Sequence, residues 1–98
     1  MALGPIALTF FDGRWQDGNV PIIGAADHTA WHGNLVFDGA RYFDGVMPDL
    51  DLHMARIVRS AEAMGLTPPV DGPTLEGIVR DGVAKMDPGL ALYIRPMM

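Results

Sequence analysis

The chain has 98 residues, 49% of them apolar and 19% charged, so it holds one domain at most and has the composition of a packed globular protein rather than a disordered one. A formal charge of −5 with no run of basic residues speaks against a nucleic-acid or anionic-membrane binder, and the lack of cysteine excludes a disulfide framework and thiolate metal ligands. The opening MALGPIALTF has no positive n-region and only a broken apolar run, so neither a leader peptide nor a membrane span is expected, and a soluble cytoplasmic protein is.

In chain order, IALTFFDGRWQDGNVPII reads as two short strands around turn residues, because Asp12-Gly13 and Asp17-Gly18-Asn19 favour positive φ or Asx turns. ADHTAWHGNLVFDG reads as a helix with Asp27 or Thr29 as N-cap and Gly39 at its end, weakened by the internal Gly33. ARYFDGVMPD reads as a strand entering a turn at Asp44-Gly45. In LDLHMARIVRSAEAMG, Leu50, Met54, Ile57, Val58, Ala61 and Met64 recur at three- and four-residue steps, with Asp49 as cap and Gly65 as a left-handed stop, which predicts an amphipathic helix. PPVDGP reads as a loop with two proline stops. TLEGIVRDGVAKM gives a second helix, capped by Thr74, with Leu75, Ile78, Val79 and Met86 on one face and DPG as terminator. Leu90, Leu92 and Ile94 alternate with Ala91, Tyr93 and Arg95, the period of a strand. The expected architecture is α+β, a small two-layer domain with an antiparallel or mixed sheet and two to three helices.

If Leu90, Leu92 and Ile94 face the core, Tyr93 and Arg95 share the other face, roughly 7 Å apart by strand rise. A guanidinium fork with a phenol beside it suits a carboxylate, while the same placement also suits a solvated Arg beside an amphipathic Tyr on a wet sheet face. Arg41 sits on the other strand, after Phe37 and Gly39, where a glycine admits close approach of a ligand or simply makes a turn. Arg56, on the long helix, is either a solvated side chain or a fixed fork for a phosphate. His28 and His32 have i, i+4 spacing, but no HExxH pattern or cysteine accompanies them, so packing roles are read and no metal is expected. The aspartates, Asp38 among them, stand beside Gly or Pro and read as turn and cap residues. No phosphate-binding glycine loop or nucleophile motif is present.

Three stretches in order, HTAWHGNLVFDGARYF, DLDLHMARIVRSAEAMGL and LYIRP, resemble the N-terminal small domain of the fold-type IV pyridoxal-phosphate aminotransferases, the branched-chain aminotransferase family in particular. The resemblance implies that residues 1–98 are that small domain, with pyridoxal 5′-phosphate as cofactor. It implies that Arg56 binds the cofactor phosphate, that Tyr93 lies near the substrate α-carboxylate and Arg95 engages a substrate carboxylate, and that His32, Phe37, Gly39 and Arg41 line the substrate pocket. His32 stands where branched-chain enzymes usually carry a tyrosine, and Asp38 where a glutamate is usual. The implied activity is transamination of branched-chain or related L-amino acids with 2-oxoglutarate, in a homodimer. The resemblance also implies that the Schiff-base lysine lies in the protein's own C-terminal domain, beyond residue 98, and Lys85 reads as a surface residue. These residues alone are therefore expected to hold no catalytic group and to be inactive. D-amino-acid aminotransferases and aminodeoxychorismate lyases share the arginine-bearing helix and are the alternatives, with YIRP favouring the L-type. A non-catalytic anion-binding module built on Arg56 and Arg95, or an assembly module, are the alternatives of another class.

Overall fold

The computed structural model of the chain describes residues 7–98, so the Ile6 end of the first expected strand lies outside the described residues. Two compact units divide the chain, one ending at Gly33 and the other running Asn34–Met98.

In the first unit, β1 (Leu8–Phe11) pairs antiparallel with β2 (Arg14–Asp17). Asp12 and Gly13 take φ of 56° and 79°, the left-handed pair that a two-residue hairpin turn demands, and Phe10 packs edge-on against Trp15 at 5.3 Å. The helix expected to reach Gly39 is short: α1 spans His28–His32 and stops at Gly33, whose φ of 63° turns the chain aside and whose N–H closes on Thr29 O at 2.9 Å. Asp27 holds the N-cap position, but its carboxylate accepts from Gly24 N instead of capping the helix.

In the second unit, β3 (Ala40–Tyr42) pairs antiparallel with β4 (Leu92–Ile94). Main-chain bonds from Val36 N to Met98 O and from Asp38 N to Pro96 O, with a bridge between Phe37 and Met97, carry the ribbon on, so that residues 36–42 run against 92–98. β3 leads into a second tight turn at Asp44-Gly45, closed by two bonds between Phe43 and Val46. The α+β class holds, with two separate two-stranded sheets in place of one larger sheet, because each pair is confined to its own unit.

α2 (Leu50–Ala63) buries Leu50, Met54, Ile57 and Ala61, the steps of four, three and four that one helical face requires. Met64 falls just beyond the helix and is half exposed, contrary to its expected place in that stripe. Asp49 takes the N-cap position at φ 55° without a side-chain cap bond, and Gly65 supplies the left-handed stop. α3 (Gly72–Ala84) starts two residues before the expected cap at Thr74. Asp71 is the cap, accepting from Thr74 N at 2.8 Å, and Pro73 lies inside the first turn, where its missing N–H costs nothing, rather than acting as a stop. The core joins Ala40 of the ribbon to Leu50 and Met54 of α2 and Val79 of α3, flanked by Met47, Leu75, Val83 and Ile94. Burying a side chain such as Met54, fully enclosed here, contributes about 1.5–3 kcal/mol. One ribbon face is thereby fixed against α2 and the other is left open.

Candidate functional site

The ribbon's alternation sorts its residues. Asp38, Ala40, Tyr42 and Pro96 are buried on the inner face. Phe37, Arg41, Tyr93, Arg95 and Met97 are exposed, and Gly39 shares their parity. Arg41 stands opposite Tyr93 in the β3–β4 register, and Phe37 opposite Met97. The Arg95 guanidinium carbon lies 4.1 Å from the centre of the Phe37 ring, a cation–π contact, and its Nε is 3.4 Å from Tyr93 Oη, at the long limit of a hydrogen bond. A Cβ on Gly39 would come within 2.9 Å of that same hydroxyl, so the ribbon admits the Tyr93 ring here because residue 39 has no side chain. Five of the expected site residues, Phe37, Gly39, Arg41, Tyr93 and Arg95, therefore share one surface: an aromatic wall with two guanidiniums and a phenol at its edge. Such a surface can take an apolar group and a carboxylate together.

Arg56 is positioned from the other ribbon face. Asp38, 6% exposed, accepts from Arg56 Nε at 2.6 Å and from Arg56 Nη2 at 2.8 Å, a two-bond fork, and also from Gly39 N at 2.8 Å. His53 Nδ1 lies 2.8 Å from Asp38 Oδ1 and 3.3 Å from Arg56 Nη2. An ionised carboxylate only accepts, so the shorter contact makes Nδ1–H the donor. The Arg56 hydrogen bonds hold the Asp38 carboxyl far below the usual carboxylate range, with His53 and the Gly39 N–H adding to the effect and burial opposing it. The same pairing pushes the Arg56 guanidinium further up. Asp38 is thus a buried anchor and not the turn residue its neighbours Phe37 and Gly39 suggested. The signal that could have found it is parity: position 38 shares the inner face with residues 40 and 42, and His53 and Arg56 face it at i, i+3 on α2.

The Arg56 side chain is 59% exposed, so two of its N–H groups are spent on Asp38 while much of the fork remains open to solvent. It borders a depression of about 290 Å³ lined by Asp49, Leu52, His53, Arg56 and Arg59. His32 belongs to the first unit, on α1, where its ring packs 4.2 Å from that of His28. Lys85 is exposed at the C-cap of α3. Among the described residues, no group of three or more His, Cys, Asp or Glu is arranged to hold a metal ion, and no helix is long and apolar enough to cross a membrane.

One small α+β unit thus carries two exposed guanidiniums able to hold anions, one fixed by Asp38 and one lying over an aromatic ring. Residues 35–98, more than half of the chain, match the family described as Amino-transferase class IV. The chain belongs to the class IV aminotransferases. Among solved structures it is similar to an aminotransferase from Brucella abortus bound to the cofactor PLP, with 49% identity and a TM-score of 0.89 over 92% of this chain and 32% of that one. A branched-chain aminotransferase from Thermoproteus uzoniensis with norvaline is 32% identical at a TM-score of 0.78, over 88% of this chain and 30% of that one. The chloroplastic D-amino-acid transaminase of Arabidopsis thaliana is 34% identical over 68 residues, which are 69% of this chain and 18% of that protein. The chain therefore spans about a third or less of the length of these relatives.

Proposed function

We propose that this chain is the N-terminal small domain of a pyridoxal-phosphate-dependent aminotransferase that moves the amino group of branched-chain or related L-amino acids to 2-oxoglutarate. The observation that carries the reading is the outer ribbon face, where the Arg95 guanidinium lies 4.1 Å over the Phe37 ring and beside Tyr93. A branched aliphatic side chain packs on the ring, and the second carboxylate of 2-oxoglutarate meets the fork, so one surface serves both substrates. The norvaline-bound relative, whose ligand is an unbranched aliphatic amino acid, supports the apolar half of this reading.

The residues present fit the cofactor's phosphate, because Arg56 offers a guanidinium whose plane Asp38 has already fixed and whose remaining donors are exposed. Bound pyridoxal 5′-phosphate supplies the electron sink and the carrier for the amino group. Arg56 holds the phosphate, Tyr93, Arg41 and Arg95 orient carboxylates, and Phe37 with Met97 keeps water from the aliphatic group. The covalent lysine comes from the protein's own C-terminal domain, and the working form is a homodimer.

A second reading, transfer from D-amino acids, is favoured by the likeness to the plant D-amino-acid transaminase. The test is glutamate formation by the native gene product, given pyridoxal 5′-phosphate, 2-oxoglutarate and either L-leucine or D-alanine. Glutamate from L-leucine is expected. Glutamate from D-alanine alone would replace this reading with the second, and glutamate from neither would remove both.

A further inference from the structure

We propose that Arg59 is a second ligand of the phosphate that Arg56 holds, an inference that rests on the phosphate reading above. Asp49, Leu52, Arg56 and Arg59 recur along α2 at steps of three and four, so they share one helical face, and they line the same depression as His53. Charge decides the matter. Arg56 is paired through two hydrogen bonds with the buried, ionised Asp38, so the charges of that pair cancel. A phosphate monoester is close to a dianion at neutral pH. A pair without net charge offers it hydrogen bonds but little charge.

Arg59 supplies the missing charge. Its side chain is exposed and has no carboxylate partner among the described residues, in contrast to Arg80, which is paired with Glu76 at 3.0 Å on α3. The depression is polarised along the helix. The Asp49 carboxylate lies at its N-terminal end, and Arg59 is ten residues further on, roughly 15 Å along the axis. An anion is therefore drawn toward the Arg56–Arg59 end, where one guanidinium is held rigidly for geometry and the other is free to follow the charge.

The experiment follows the arginine Nε–H resonances of the 98-residue chain during titration with inorganic phosphate and with pyridoxal 5′-phosphate, with pyridoxal as the phosphate-free control. Shifts at both Arg56 and Arg59 are expected with the two phosphates and not with pyridoxal. Arg59→Gln is expected to weaken phosphate binding about tenfold and to lower its salt dependence, the loss of one charge-assisted contact at an exposed site. Arg80→Gln, which alters a charge elsewhere on the surface, is expected to leave it unchanged. If Arg59→Gln binds phosphate as the wild type does while Arg56→Gln does not, Arg59 is no ligand and the phosphate site at Arg56 stands. If the wild-type chain binds neither phosphate, or if neither substitution alters binding, both the inference and the phosphate reading fall.

Discussion

Asp38 governs the site without lying on its outer surface. Its carboxyl is held below the ordinary range, so the stability it contributes is complete above the unfolded-state value of 3.8 and is lost as pH falls below it. Thermal melts between pH 2 and 7 should therefore show an acid limb for the wild type that is flatter in Asp38→Asn. An equal limb in both would mean that the pairing contributes nothing to folding. Gly39 makes the opposite kind of prediction. An alanine there meets the Tyr93 hydroxyl at 2.9 Å, and Tyr93 is 60% exposed, so the ring can swing away. Gly39→Ala should cost about 1 kcal/mol or less in stability, since the clash is with a movable side chain, yet raise the KM for 2-oxoglutarate several-fold. A large fall in Tm with an unchanged KM would reverse that assignment.

At the scale of elements, periodicity located what local chemistry could not bound. The α2 stripe at residues 50, 54, 57 and 61, the hairpin at Asp12-Gly13 and the alternation of residues 90–95 were legible because burial on one side imposes a fixed period. The ends of α2, at Asp49 and Gly65, were legible too, but the start of α3 was not, because capping groups compete. Asp71 and Thr74 are both cap residues, and Asp71 prevails because Pro73 fits the first turn and Thr74 N is then an orphan donor that the carboxylate satisfies. Asp71→Ala should lower the stability of the chain by about 1 kcal/mol in urea titration. No change would make Thr74 or solvent the effective cap. α1 fell short of Gly39 because Gly33 adopts the left-handed conformation and residues 36–38 pair with 96–98.

For the whole molecule, half of the outer ribbon face was legible in advance, since Tyr93 and Arg95 differ by two positions on an expected strand, whereas Phe37 and Gly39 were expected in a helix and only the structure puts them in line with Arg41. What joins them is not written in either segment. The antiparallel register that brings Arg41 opposite Tyr93, and Phe37 opposite Met97, is long-range. The same is true of Asp38, Arg56 and His53, whose partnership depends on how the ribbon packs on α2. Class membership follows from the match over residues 35–98, whereas the substrate rests on the geometry of that outer face.

The central claim is that one surface receives both an apolar side chain and a second carboxylate, the latter through Arg95. It is tested most directly by the KM values of Arg95→Gln in the native gene product for 2-oxoglutarate and for 4-methyl-2-oxopentanoate, its apolar counterpart. The account predicts a KM for 2-oxoglutarate raised about tenfold or more, the loss of a charge-assisted fork, with that for the apolar acid within about twofold. Equal changes for the two acids, or a change confined to the apolar one, would contradict it.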